Sequence, residues 1–243
     1  MTDTAVAKRW SKNYKRLLKA FSVEFPVGSP EHPPAARRRP LQSQHLGLAA
    51  VTSGYCCYED THLYLNVEWN HDRHVVVGVL ENATGQSLFF IREKALSLHR
   101  QRTILDANQV PVATMRMGVF QRRKATYSIY PREEFSKTAT LFKFSMVCGK
   151  LEMTFNDLMT GETCRLGCEG ERGDVEIWLQ RGVSNDNSRQ PIAHMYPGRP
   201  GTPLGYVVDI AEGVDAVMVI LLCVGVHDSE PGRKWKAPLA FNY

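Results

Sequence analysis

This 243-residue sequence has no long apolar run. We therefore expect no helix that crosses a bilayer. The longest run, Ala216 to Val226, has 11 residues, whereas a membrane-spanning helix needs about 20 apolar residues. The first 25 residues also lack the apolar stretch of a secretory signal. We therefore expect a cytoplasmic protein that associates with membranes, if at all, peripherally.

Familiar catalytic motifs are also missing: the sequence has no GxSxG, HExxH, Walker loop, GxGxxG or CxxC. Its six cysteines, in a chain without a secretory signal, suit reduced thiols. Cys164 and Cys168 are interpreted as structural thiols rather than zinc ligands. His71 and His74 could share a metal with a carboxylate, but their spacing favours solvated turn residues. We expect no enzymatic activity, metal or cofactor.

The positive charge is concentrated at the start of the chain. The formal net charge is +5, and residues 1–40 hold nine Lys or Arg against three acidic residues, which leaves about −1 for residues 41–243. A basic surface therefore belongs to the N-terminal arm, and the globular part is not expected to bind nucleic acid.

Residues 1–25 contain a helical pattern of apolar residues at spacings of three and four, from Val6 through Trp10 to Phe21. Its opposite face is basic, which suits an anionic membrane surface. The same pattern suits a stripe packed on the domain, a mitochondrial presequence or a calmodulin target. The basic face consists of Lys8, Arg9, Lys12, Lys15, Arg16 and Lys19.

Residues 26–45 are rich in proline and contain the triplet Arg37, Arg38 and Arg39. This composition predicts an extended linker. The triplet joins the basic helix and Trp10 in the predicted membrane-binding and anion-binding set, although a solvated tether is the favoured interpretation of the linker.

From about residue 50 the apolar period changes from 3.6 to 2, as Leu63 to Trp69 illustrates. Ten or so such segments, separated by turn residues, predict a mainly β sandwich or barrel. The candidate strands are residues 63–69, 74–80, 87–92, 110–117, 125–130, 142–146, 151–155, 175–180 and 206–210.

The run Ala216 to Val226 breaks this pattern because it is apolar on every side. Its length and the helix-capping Asp215 before it favour a helix over a strand. A helix that is apolar all round must be enclosed by protein, and the lumen of a many-stranded barrel is wide enough for one.

Two motifs, Leu88 to Arg100 and Ile104 to Val112, resemble the LURP-one-related family of the tubby C-terminal-like superfamily, as does the ending Gly213 to Ala216. The resemblance covers roughly residues 45–230. It implies a closed antiparallel barrel of about 12 strands around a central hydrophobic helix, and hence a barrel domain over residues 46–243. Gln109 stands where the family commonly has glycine, so Asn108 is expected to take the left-handed conformation.

The resemblance implies no catalytic residues, and more distant tubby-like relatives bind phosphoinositides or are called scramblases. We expect a non-catalytic binding or scaffold protein whose basic helix associates with anionic or phosphoinositide membranes, with a protein partner still to be identified. A soluble regulatory interaction module is the alternative, and a scramblase-like lipid-handling protein is the third.

Overall fold

The protein is described by a computed structural model. It describes residues 38–70, 75–82, 84–94, 97, 100–118, 124–133, 136–147, 150–171, 174–182, 189–198 and 205–229, with the backbone alone for 66–70, 75–79, 137 and 171. The predicted basic helix, Arg37, His71 and His74 lie outside the described residues.

Twelve strands in the described chain form a closed, mainly β barrel in which each strand is antiparallel to its neighbours in sequence. The barrel closes where β1 pairs with β12, with Thr61 opposite Ile210. This confirms the predicted fold class. The strands are β1 (Thr61–Asn70), β2 (Val75–Glu81), β3 (Ser87–Glu93), β4 (Arg102–Asp106), β5 (Pro111–Met117), β6 (Lys124–Pro131), β7 (Phe142–Val147), β8 (Lys150–Asn156), β9 (Thr163–Glu171), β10 (Asp174–Arg181), β11 (Gln190–Pro197) and β12 (Gly205–Ile210).

Alternating side chains build the barrel wall. In β8, Leu151, Met153 and Phe155 are buried while the residues between them are exposed, because successive side chains of a strand point to opposite faces. Each large apolar side chain that is fully buried contributes about 1.5–3 kcal/mol to stability. The alternation therefore sets which face of each strand turns toward the barrel axis.

The barrel encloses the predicted helix, here α1 (Ala216–Ser229), whose first 12 residues are all buried. Asp215 caps it as expected: its Oδ1 accepts hydrogen bonds from the backbone N–H groups of Val217 and Met218, at 3.0 and 3.2 Å. Because α1 fills the barrel axis, the barrel interior is a packed core.

Two features differ from the sequence-based expectations. Strands β4, β9 and β11 were not predicted from the period. In the β4–β5 turn it is Gln109 itself, with φ of 65°, that adopts the left-handed conformation, so the assignment of this conformation to Asn108 was wrong. Asp106 holds the turn, because its Oδ1 accepts the backbone N–H groups of Asn108 and Val110, both at 2.9 Å.

Within the described residues, no helix has the length and apolar character needed to cross a membrane.

Candidate binding surfaces

The buried charged side chains at the C-terminal end of α1 form ion pairs with one another. The guanidinium of Arg102 lies 2.6 Å from Asp228 and 3.1 Å from Glu93. Burial disfavours charge on Arg102, but Asp228 and Glu93 outweigh it and raise the pKa of Arg102. Asp228 lies near the negative end of the helix dipole, so the arginine compensates an otherwise unfavourable charge. This cluster holds the helix end to the wall.

A second buried cluster lies at the opposite end of the barrel, in the β8–β9 turn. Asp157 is fully buried and lies 2.9 Å from Arg181. Burial alone would raise the pKa of Asp157, but backbone hydrogen bonds from Ala49 and Met159, together with Arg181, lower it. Arg181 also donates to the carbonyl of Gly47 at 3.1 Å. The cluster thus fastens the segment before β1 to the barrel.

The interior cysteines have the properties of structural thiols. Cys164, Cys168 and Cys223 are buried, and burial raises the pKa of each, that of Cys164 to about 11. Such thiols stay protonated at neutral pH and are poor nucleophiles and metal ligands. The described part of the chain holds no group of three or more His, Cys, Asp or Glu side chains placed to bind a metal ion.

A shallow groove of about 400 Å³ runs across the outer wall over β7, β8 and β9. Two exposed cations, Lys143 and Arg165, line it with the hydroxyls of Ser145 and Thr154. Neither cation forms a hydrogen bond or ion pair with the described residues, unlike Arg92 and most arginines of the wall. Glu152 also lines the groove, which leaves its net charge at +1. Its chemistry suits a small anionic group.

A second surface covers the end of the barrel at which α1 begins. Three chain segments lie side by side there: residues 44–48 bond to residues 212–214, which bond in turn to residues 56–57. The β8–β9 turn joins them, because the N–H of Leu158 donates to the carbonyl of Ala49 at 2.8 Å. The four segments form a closed lid over the N-terminus of the helix.

The lid carries exposed apolar and acidic side chains. Leu46 is 76% exposed, Tyr58 96%, Leu158 58% and Met159 46%. Four carboxylates stand among them. We define the lid surface as Leu46, Tyr58, Leu158, Met159, Glu59, Asp60, Glu162 and Glu212.

The sequence-predicted site residues within the described chain are Arg38 and Arg39. Arg38 is half-buried. The guanidinium of Arg39 bonds to the carboxylate of Glu176 on β10, with Nε 3.1 Å from Oε2, and donates to the carbonyl of Arg189 at 3.3 Å. This contact with Glu176 raises the pKa of Arg39. Arg39 therefore lies against the wall and is already paired with a carboxylate.

Neither the lid surface nor the wall groove was predicted from the sequence. The lid surface brings together four segments that are distant in sequence, so no local pattern marks it. The groove was hidden because Lys143 and Arg165 appear in the sequence as ordinary polar positions of two strands. Cross-strand geometry alone places these cations near each other.

Comparison with known proteins supports this architecture. An X-ray structure of a protein from Arabidopsis thaliana is similar in fold, with a TM-score of 0.53 and 19% sequence identity, over 75% of this chain and 98% of that one. At this identity the likeness concerns the fold alone. No curated protein matches the sequence significantly. The family model described as LURP-one-related matches residues 67–227, more than half of the chain. The chain therefore belongs to the LURP-one-related family.

Proposed function

We propose that this chain is a non-catalytic binding or scaffold protein that associates peripherally with anionic membranes, including phosphoinositide membranes, through its basic N-terminal residues. The observation that carries the proposal is the division of the molecule: α1 fills the barrel axis, and the excess of basic over acidic residues falls in residues 1–40 of the sequence. Recognition therefore falls to the outer surfaces and to the arm rather than to an enclosed pocket.

The charges support an electrostatic mode of membrane association. Each Lys or Arg near an anionic leaflet contributes about 1 kcal/mol of attraction. The six basic residues from Lys8 to Lys19, with Trp10 and Phe21 on the apolar side, would give a useful and reversible affinity. Arg39 contributes less, because Glu176 already neutralises it.

The wall groove adds a second contact for an anionic headgroup. Lys143 and Arg165 project from the barrel wall, so only their side chains, and not the backbone, have to be ordered on binding. With a net charge of +1, the groove by itself would bind a phosphate weakly. Its contribution would be selectivity for headgroups with several phosphates rather than the main affinity.

The test is co-sedimentation of the full chain with vesicles of neutral lipid, of phosphatidylserine and of phosphoinositide. We expect binding to the two anionic kinds and not to the neutral kind. Changing Lys8, Lys12, Lys15 and Lys19 to Glu should abolish it. The control changes three exposed lysines of the barrel, Lys94, Lys124 and Lys150, to Glu, and these changes should reduce binding much less.

The double variant Lys143→Glu, Arg165→Glu tests the groove. We expect it to lower binding to phosphoinositide vesicles more than binding to phosphatidylserine vesicles. Equal binding to neutral and anionic vesicles, or full binding by the arm variant, would refute membrane association through the arm.

A further inference from the structure

The lid surface combines two properties, exposed apolar side chains and exposed carboxylates. Its apolar side chains are exposed by 46–96%, and grouped apolar side chains at a surface commonly mark an interaction site. Three exposed carboxylates, Glu59, Asp60 and Glu162, stand among them. Both the apolar contact and the charge must therefore be satisfied by whatever binds here.

The lid is rigid, which lowers the cost of binding. The N–H of Gln44 bonds to the carbonyl of Glu212 at 2.8 Å, and the N–H of Gly213 bonds to the carbonyl of Cys57 at 2.7 Å. The Oδ1 of Asp60 accepts the N–H of Glu212 at 2.9 Å. Leu46 and Tyr58 belong to the two outer segments, on either side of residues 212–214.

The charge of the lid selects the partner. Carboxylates repel anionic lipid and nucleic acid, and Arg181, the cation beside Glu162, is already held by the buried Asp157. The complementary ligand has lysine or arginine next to an apolar stripe. Amphipathic helices that lay an apolar face onto an apolar surface have this chemistry.

We propose that the lid surface is a docking site for a basic amphipathic helix of a partner protein. The apolar stripe of that helix packs on Leu46, Tyr58, Leu158 and Met159, and its basic residues face Glu59, Asp60, Glu162 and Glu212. The inference goes beyond the proposed membrane association, because it concerns another surface with the opposite charge.

The experiment uses the full chain and a fluorescent synthetic peptide of leucine and lysine arranged at helical spacing. A peptide of the same composition in scrambled order, which cannot form an apolar stripe, is the peptide control. We expect saturable binding of the first peptide, at least about tenfold tighter than the second by fluorescence anisotropy, and weaker binding as salt rises.

Substitutions on the lid locate the site. The double variant Leu46→Ser, Tyr58→Ser should weaken binding by about tenfold or more, since central apolar contacts dominate such interfaces. Glu59→Lys should weaken it several-fold, whereas Glu169→Lys, the same charge change on the outer wall, should leave it unchanged. All four side chains are exposed, so thermal unfolding should show that each variant keeps its fold.

Three results would overturn the proposal: no binding of the amphipathic peptide, equal binding of the scrambled peptide, or binding that the lid variants do not weaken. A concentration-dependent dimer that Leu46→Ser, Tyr58→Ser dissolves, without peptide binding, would assign the surface to a second copy instead. Vesicle binding is measured separately, so failure of this inference leaves the membrane proposal standing.

Discussion

The carboxylate of Asp215 accepts a hydrogen bond of 2.9 Å from the backbone N–H of Val51, which lies 164 positions earlier in the chain. Its other oxygen caps α1 through the N–H of Val217. Burial raises the pKa of Asp215, and hydrogen bonds from the backbone N–H groups of Val51, Thr52 and Met218 oppose the rise. One fully buried side chain thus ties the segment before β1 to the start of the central helix.

Replacing Asp215 by alanine should destabilise the protein far more than removing an ordinary cap. The substitution leaves the buried N–H groups of Val51, Val217 and Met218 without their acceptor, and we expect a loss of about 3 kcal/mol in the free energy of unfolding, measured by urea denaturation. Ser136→Ala is the control, because Ser136 is exposed and accepts the N–H of Ala139 at 3.0 Å. Equal losses in the two variants would contradict the linking role of Asp215.

Gly225→Ala should lower the melting temperature, although alanine favours helix formation by about 1 kcal/mol over glycine. A Cβ at this position would lie 2.5 Å from Cε2 of Phe144. The ring of Phe144 is itself stacked on Tyr127, with centroids 4.8 Å apart. Overpacking costs about 1–3 kcal/mol, so the steric cost should exceed the gain in propensity.

The second substitution Phe144→Leu, which shortens the side chain, should restore part of the stability of Gly225→Ala. A melting temperature that rises in Gly225→Ala alone would contradict the close packing of Gly225 against Phe144.

The central helix was predictable because its signal is local. An apolar run without a polar face, preceded by the capping residue Asp215, is typical of a helix that is enclosed by protein, and a barrel of many strands can enclose one. The strands that were predicted, such as β8, are buried on one face only. Their apolar and polar residues therefore alternate visibly in the sequence.

The strands that were missed have lost this signal for physical reasons. Residues Pro191 to Tyr196 of β11 are all buried, since both faces of that strand are covered, so no alternation remains. In β9 the alternation is carried by Cys164, Leu166 and Cys168, but the glycine between the last two obscures it. Gly167 is there because a Cβ would lie 2.2 Å from Cζ2 of Trp178, a contact that the sequence does not reveal.

Asp157 should make the stability of the protein dependent on acidic pH. Its pKa in the folded state is lowered, so its ionised form is favoured by folding. Its contribution is complete above its unfolded pKa of about 4 and is lost as pH falls through the lower folded value. We expect Asp157→Asn to lose about 2 kcal/mol at pH 7, because Arg181 then loses its nearer and buried charged partner and keeps only Glu162, at 3.6 Å.

The difference between wild type and Asp157→Asn should shrink as pH falls below about 4, measured by urea denaturation across that range. A difference that stays constant with pH would mean that the charge of Asp157 contributes nothing to stability.

The measurement that tests the central claim most directly is the salt dependence of vesicle binding by the full chain. Raising the salt from about 0.1 M to 1 M shortens the Debye length from about 10 to 3 Å. If residues 8–19 hold the chain to anionic lipid by charge, binding to phosphatidylserine vesicles should be strong at the lower salt and largely lost at the higher. Binding that is unchanged between the two, or absent at both, would contradict electrostatic association with the membrane.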